Sequence, residues 1–207
     1  MGRYIGPKNK IARRFGVNLG LKSNPTKVAR RLQQPPGVHG LTKRRGTTST
    51  FGKQLLEKQK AKLMYGIRER QFRRYVSLAT GLTGDSGMHL QNMLEMRLDN
   101  IIYRAGIALT RAQARQFVSH GMFSVNGKAM NIPSHIVAVG DVVALKENKK
   151  RKKIFENITE KLAKQELPSW LSVTPDKQGI KVTSKPGAMD LEKVYDIKLI
   201  IEYYSTR

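Results

Sequence analysis

The sequence predicts an α+β protein: a helical N-terminal domain with a basic extended arm, and a small module of two helices packed on a small antiparallel sheet. Three observations predict this class. Apolar residues recur at helical spacing between positions 51 and 80. From residue 94 to residue 145 the apolar pattern changes from helical spacing to strict alternation. Residues 1–56 carry 13 basic residues and no acidic one, and their helix and strand signals are weak.

The composition divides the chain into four segments. We expect a basic arm at 1–50, a helical part at 51–92, the module at 93–150, and a C-terminal helix and strands at 151–207 that complete the helical domain. Residues 33–50 contain Pro-Pro-Gly and a Thr/Ser run, which predict an extended loop. Such an arm buries little apolar surface, so we expect it to be poorly ordered alone and to fold against a partner. A glycine-rich break at 80–87 marks the boundary between the two domains.

The first module helix is expected to run from about residue 94 to 105, with Asn92 as its N-cap and Gly106 as its stop. Its apolar stripe consists of Leu94, Leu98, Ile101, Ile102 and Ala105. The second begins at Thr110, where Thr110 and Gln113 form a capping box, and it ends at Gly121.

The pattern then becomes that of a sheet. Phe123 and Val125 alternate with polar residues. Asn126-Gly127 is the strongest short signal for a hairpin, and residues 142–145 form another short apolar strand. The module is therefore small and its core is thin.

Arg111 stands in the first turn of the second helix, where a cation meets the positive end of the helix dipole. Free amides, dipole and guanidinium together make a phosphate site. The alternative is a solvated arginine, but Arg115 one turn later and a net charge of +24 favour phosphate. We therefore expect replacing both arginines by alanine to weaken binding of a nucleic acid, the phosphate-rich ligand that this charge favours, without disturbing the fold.

Five short motifs of this module resemble a known family. They are Arg97-Leu98-Asp99-Asn100, the segment from Ala114 to Gly121, Val125-Asn126-Gly127, Ile132-Pro133-Ser134 and Gly140-Asp141. Together they resemble the RNA-binding module named after small-subunit ribosomal protein four. That module also occurs in pseudouridine synthases, tyrosyl-tRNA synthetases and a small heat-shock protein, so it does not identify the family alone.

The flanking segments do. Residues 2–7, 51–60, 65–72, 168–171 and 200–205 also resemble small-subunit ribosomal protein four. The chain is identified as a member of that family, of bacterial type, from a bacterium or an organelle. Many relatives hold zinc through four cysteines in the basic N-terminal region. This chain has no cysteine and resembles the zinc-free form.

The resemblance implies a structural component of the small subunit that binds the 5′ domain of small-subunit ribosomal RNA at a helical junction and nucleates assembly of the body. It implies contacts with small-subunit proteins five and three and with messenger RNA where it enters the subunit. The contact with protein five implies an influence on translational accuracy. Several bacterial relatives also repress their own messenger. The expected location is the ribosome of the cytoplasm or of an organelle.

The residues we expect to contact RNA are mostly basic and come from both domains. The arm and first long helix supply Arg3, Lys8, Arg13, Arg14, Arg44, Arg45, Lys53 and Lys58. The module supplies Arg97, Arg104, Arg111, Arg115, His120, Asn126 and Lys128, and the basic run at 149–153 adds Lys150 and Arg151. His120 could equally serve as a cation at a helix end. The run could also be a nuclear-localisation signal, although nothing else supports that.

Other classes of protein are disfavoured by the sequence. Without cysteine, and with histidines that are not at ligand spacing, we expect no metal and no cofactor. No apolar run approaches a membrane span and no signal peptide begins the chain, so we expect no membrane partner. Arg97-Leu98-Asp99 resembles the catalytic motif of pseudouridine synthases. Here, however, it falls in an amphipathic helix without a catalytic domain, and we expect Asp99 to form a surface ion pair or to bind a neighbouring backbone amide.

Two binding classes remain as alternatives to a ribosomal protein. A stand-alone RNA-binding regulator would not need the balanced tail, in which residues 165–207 hold six basic and six acidic residues. A DNA-binding protein would need a recognition helix rich in polar side chains that contact bases, and none stands out.

Overall fold

A computed structural model describes residues 4–40, 48–150, 152–155, 166–174, 179–187 and 189–205. The chain forms two compact units. One comprises residues 1–91 and 192–207, and the other comprises residues 92–191. The class is α+β as predicted, with a helical N-terminal unit and a module built on a small antiparallel sheet.

The helical unit is built from α1 (Lys8–Phe15), α2 (Pro25–Leu32), α3 (Thr50–Met64), α4 (Glu69–Thr80) and α9 (Ile197–Ser205). The long helical pattern predicted for 51–80 is two helices, because Gly66 adopts φ +63° between them. C-terminal helix α9 packs on α3 and α4. The buried core of α4 contains Phe72 and Tyr75.

The arm is more structured than its sequence indicated. Helices α1 and α2 lie in the region where we expected weak structure. Asn24 caps α2 by accepting a hydrogen bond from the Lys27 amide at 3.0 Å. Arg13 donates to the backbone oxygens of Gln34 and Pro35 at 2.6 and 3.0 Å. The basic arm expected at 1–50 is therefore not extended throughout, because it contains helices at 8–15 and 25–32.

The helix predicted for residues 94–105 is divided in two by a break. Helix α5 (Ser86–Glu95) ends before Met96, and α6 (Leu98–Arg104) starts again after Arg97. The break arises because residues 133–137 bind the backbone there. The Leu98 amide donates to the His135 oxygen at 2.8 Å, and the Val137 amide donates to the Met96 oxygen at 2.9 Å. Asn92 is consequently inside α5 and not an N-cap.

The remaining module elements follow in order. They are α7 (Arg111–Ser119), β1 (Phe123–Val125), β2 (Lys128–Met130), β3 (Val142–Leu145), α8 (Glu147–Lys150), a 3₁₀ turn at Lys153–Phe155, β4 (Leu171–Val173) and β5 (Gly179–Val182). Among the described residues the strands form one antiparallel sheet in the order β2-β1-β3-β5-β4.

The sheet corrects one expected domain boundary. We predicted that the strands within 151–207 would complete the helical domain, but β4 and β5 extend the module sheet instead. Val143 pairs with Ile180, and Ile180 pairs with Val173. Burial explains this choice, because Ile180 and Val182 lose all contact with solvent in the module core. Only residues 192–207 join the helical unit.

Candidate nucleic-acid interface

Two buried carboxylates organise the arginines of the module. Asp99 accepts two hydrogen bonds from Arg97, from Nε to Oδ1 at 3.0 Å and from Nη2 to Oδ2 at 2.8 Å. Arg115 Nη1 adds a third contact to Oδ2 at 3.2 Å. The side chains of Arg97 and Asp99 are only 1% and 6% exposed. Asp99 was expected to form a surface ion pair, so its burial corrects that expectation.

Glu95 is the second carboxylate, and it is completely buried. It accepts two hydrogen bonds from Arg104, both at 2.9 Å, and one from Asn100 Nδ2 at 2.8 Å. The Asn100 oxygen in turn accepts from Arg111 Nε at 2.8 Å. The Arg111 guanidinium lies 4.4 Å from the centre of the Tyr103 ring. Asn100 therefore joins an acidic and a basic side chain inside one buried network.

These contacts divide the predicted RNA-binding arginines into two groups. Arg97 and Arg111 are buried and hold the fold, so the geometry gives no support for their contact with RNA. Arg104 and Arg115 keep 19% and 33% of their side chains exposed. Because a buried carboxylate holds each of these two guanidinium groups, their side chains have little conformational freedom left to lose on binding. Replacement of Arg111 is accordingly expected to destabilise the fold, contrary to our earlier expectation.

The helix start at Thr110 is as predicted. The Thr110 hydroxyl accepts from the Gln113 amide at 3.2 Å, and Gln113 Oε1 accepts from the Leu109 amide at 2.9 Å. The side chain of Gln113 thus satisfies the amide one residue before the cap. This reciprocal capping fixes the first turn of α7, which carries Arg111.

The predicted hairpin is also present. Asn126 and Gly127 adopt φ +49° and +77°. Positive φ at both residues is the conformation of a two-residue hairpin turn whose twist matches that of the flanking strands. Asn126 is directed at β3, where it binds Asp141 and the Val142 amide. Lys128 and His120 are exposed and remain free to face a nucleic acid.

In the helical unit Lys58 is buried rather than exposed. Its Nζ donates to Glu69 Oε1 at 2.8 Å and lies 4.4 Å from the centre of the Tyr203 ring. Lys62 and Tyr204 also donate to Glu69, at 2.8 and 2.7 Å. Burial alone would raise the pKa of Glu69, but these three hydrogen bonds outweigh it and lower the pKa to about 2. Burial, followed by the Glu69 contact, raises the pKa of Tyr204.

The exposed cations of the helical unit include residues that sequence reasoning did not select. Arg14 and Lys53 are exposed as expected, Lys8 is half-buried and Arg13 fastens the backbone at 34–35. The added exposed residues are Lys27, Arg30 and Arg31 on α2, and Arg68, Arg70, Arg73 and Arg74 at and along α4. The helical spacing of the apolar residues could have identified these cations. Residues that fall between the apolar positions of an amphipathic helix, such as those of α4, occupy its polar face.

Several predicted residues cannot be placed. Arg3, Arg44, Arg45 and Arg151 lie outside the described residues, as does the side chain of Lys150. In the described part of the chain, no cluster of three or more His, Asp or Glu side chains has metal-binding geometry. No helix described here combines the length and apolarity required to cross a bilayer.

Comparisons with known proteins agree with this architecture. A family model described as the Ribosomal protein S4/S9 N-terminal domain matches residues 3–95, and one described as the S4 domain matches residues 96–143. The two matches meet between Glu95 and Met96, where α5 ends. The fold therefore combines the N-terminal domain of a small-subunit ribosomal protein with an RNA-binding module.

Full-length relatives extend the match. The chain is 44% identical over 207 residues to the small ribosomal subunit protein uS4 of Roseiflexus castenholzii, with 99% of this chain and all of that protein covered. It is 47% identical over 209 residues to uS4 of Paraburkholderia xenovorans, with the same coverage. The chain belongs to the uS4 family of small ribosomal subunit proteins. Members of this family are structural components of the ribosome, not enzymes.

Proposed function

We propose that this protein is a primary binder of small-subunit ribosomal RNA, which it engages at a helical junction of the 5′ domain to nucleate assembly of the body. With small-subunit proteins five and three it borders the path of messenger RNA into the subunit and influences translational accuracy. The observation that carries the proposal is the excess of lysine and arginine over acidic residues in a chain of the uS4 family, with many of these cations on the surface.

Several acidic side chains are paired with basic side chains within the chain. The carboxylates of Glu57, Glu69, Glu95 and Asp99 are all engaged by lysines or arginines of the same chain. These acids therefore do not form an acidic surface that would repel phosphate. With 39 basic against 15 acidic residues, the remaining cations dominate the surface potential and attract RNA at long range.

Helix α4 offers the densest exposed group of arginines in the described helical unit. Arg70, Arg73 and Arg74 lie on the solvent side of a helix whose other side carries Phe72 and Tyr75 in the core. Guanidinium groups bind phosphate through two parallel hydrogen bonds. Spaced arginines on a rigid helix suit folded RNA, which proteins recognise mainly by shape, phosphate and 2′-hydroxyl contacts.

The module contributes two further guanidinium groups. Arg104 and Arg115 are anchored on Glu95 and Asp99 and remain partly exposed. Anchoring limits the side-chain entropy that binding must remove. A guanidinium carries its N–H donors in a fixed fork whose geometry matches phosphate, so the exposed parts of these two side chains suit an RNA backbone.

The test is binding of the purified protein to a 5′-domain fragment of small-subunit ribosomal RNA, in the presence of excess transfer RNA, at two salt concentrations. We expect affinity to survive the competitor and to fall steeply with salt, because phosphate contacts release counterions. If transfer RNA abolishes binding, the protein binds nucleic acid only as a generic polycation. The alternatives of an RNA-binding regulator or a DNA-binding protein then gain support.

The contact with protein five needs a separate experiment. The balanced charge of residues 165–207 supports a protein partner for this region, in contrast to the acid-free start of the chain. We expect protein five to join the preformed complex of this protein and ribosomal RNA in a sedimentation assay. Equal recruitment of protein five to the RNA alone would contradict a direct contact.

A further inference from the structure

The hairpin turn contains a pair of residues with chemistry of its own. Asn126-Gly127 is the one Asn-Gly pair in the sequence. In such a pair the glycine nitrogen can attack the side-chain amide carbon of the preceding asparagine, because glycine carries no side chain to obstruct the approach. Asn126 is exposed and stands at the tip of the hairpin, where water is abundant.

In the folded chain both the nitrogen and the oxygen of the Asn126 side-chain amide form hydrogen bonds. Asn126 Nδ2 donates to Asp141 Oδ1 at 2.7 Å, and Asn126 Oδ1 accepts from the Val142 amide at 2.9 Å. Asp141 is itself fixed, since its Oδ2 accepts from the Ala138 amide at 2.8 Å. These contacts hold the side-chain amide of Asn126 against Asp141 and the first residue of β3, so the side chain must leave them before it can rotate to the geometry of the attack. We name them the Asn126–Asp141 clamp.

We propose that Asn126 is a site of spontaneous deamidation and that the Asn126–Asp141 clamp controls its rate. When the clamp opens, the Gly127 nitrogen forms a bond to Asn126 Cγ while the Cγ–Nδ2 bond breaks and ammonia leaves. The cyclic imide then takes up one water at either carbonyl, which gives aspartate or isoaspartate at position 126. One water is consumed and one ammonia released, and no oxidant or other reactant is needed.

The product cannot restore the clamp. A carboxylate at position 126 has lost the Nδ2 donor and would face the Asp141 carboxylate at the distance of a hydrogen bond. Like charges so close repel each other, and the isoaspartate form also inserts an extra carbon into the turn. Each event would therefore leave the β1–β2 hairpin permanently loosened beside the exposed Lys128.

The experiment is incubation of the full-length protein in native buffer and in denaturing urea, followed by proteolytic mapping of deamidated peptides by mass spectrometry. Asn148, which is exposed and precedes Lys149, is the internal reference. In urea we expect Asn126 to deamidate much faster than Asn148. In native buffer we expect the Asn126 rate to fall by at least about tenfold, since a single net hydrogen bond already shifts an opening equilibrium roughly fivefold.

Two variants test the role of Asp141. Asp141→Ala removes both acceptor oxygens and should bring the native rate towards the rate in urea. Asp141→Asn keeps one acceptor oxygen of the two and should give a rate between those of the wild type and Asp141→Ala. The emission of Trp170, which is buried in the module core, checks that each variant is folded. Equal Asn126 rates in native buffer and urea, or a folded Asp141→Ala variant that deamidates like the wild type, would overturn the proposal. Where Asp141→Ala does not fold, equal Asn126 rates in native buffer and in urea would still overturn the proposal.

Discussion

Replacement of Asp99 by asparagine should expose how strongly the module depends on its buried ion pair. The change keeps the shape of the side chain but removes the charge that Arg97 faces at 2.8 and 3.0 Å. Loss of one partner of a buried pair costs about 3–5 kcal/mol, because an uncompensated charge stays in the interior. The half-exposed contact to Arg115 adds at most about 1 kcal/mol. Asp99→Asn should thus remove roughly 3–6 kcal/mol from the free energy of unfolding of the module.

The assay is urea denaturation followed by the fluorescence of Trp170. This is the single tryptophan of the chain, and it is completely buried within the module, so its emission reports on that unit. Glu166→Gln is the matched control, because it makes the same charge change at an exposed position of the same unit. A loss for Asp99→Asn that is within about 0.5 kcal/mol of the control would refute the argument.

A double variant separates the attraction between Arg97 and Asp99 from the cost of burying their charges. Arg97→Met combined with Asp99→Leu replaces both charges by apolar groups, which is often nearly neutral for a buried pair. We expect the double variant to be more stable than Asp99→Asn alone. A double variant that is less stable would mean that the pair contributes attraction beyond the cost of its burial.

Three further predictions concern other parts of the chain. Thr110→Ala should cost about 1 kcal/mol, read from Trp170 emission in urea, and an unchanged midpoint would contradict the capping contact. Because the pKa of Glu69 falls from 4.5 to about 2 on folding, it stabilises the fold above pH 4.5, and this contribution is lost as the pH falls towards 2. The shift corresponds to roughly 3 kcal/mol, but with a side chain 45% exposed we expect about 1 kcal/mol. The difference between wild type and Glu69→Gln in circular dichroism melts should vanish over that pH range, and a constant difference would contradict this. Arg73→Gln with Arg74→Gln should lower RNA affinity and reduce the salt slope by about 2, whereas an unchanged slope would exclude both from phosphate contact.

The features of the fold that the sequence could predict are those determined by residues close together in the chain. The Thr110 cap depends on residues three apart, and the Asn126-Gly127 turn depends on two adjacent residues. Both are decided by short-range hydrogen bonds and backbone preference. The break between α5 and α6 depends instead on His135 and Val137, which are far along the chain. A helical pattern cannot reveal that a distant segment will bind its backbone.

The same limit explains why the burial of two arginines of the candidate interface was not foreseen. Arg97 and Arg111 look like surface residues in the sequence, because burial of a guanidinium requires partners that only the folded chain brings together. Those partners are Asp99 and Asn100. Strands β4 and β5 were assigned to the wrong unit for a related reason, since their pairing with β3 is non-local. Family resemblance gave the function class correctly because it depends on ordered motifs rather than on burial.

Hydroxyl-radical footprinting of a 5′-domain fragment of small-subunit ribosomal RNA, with and without the purified protein, tests the central claim most directly. We predict protections that cluster at one helical junction, persist with excess transfer RNA, and weaken in the Arg73→Gln, Arg74→Gln variant. Glu166→Gln, which changes an exposed residue outside the proposed contacts, should leave the footprint unchanged. Protections spread evenly along the RNA, or removed by the competitor, would contradict recognition of a specific ribosomal RNA junction.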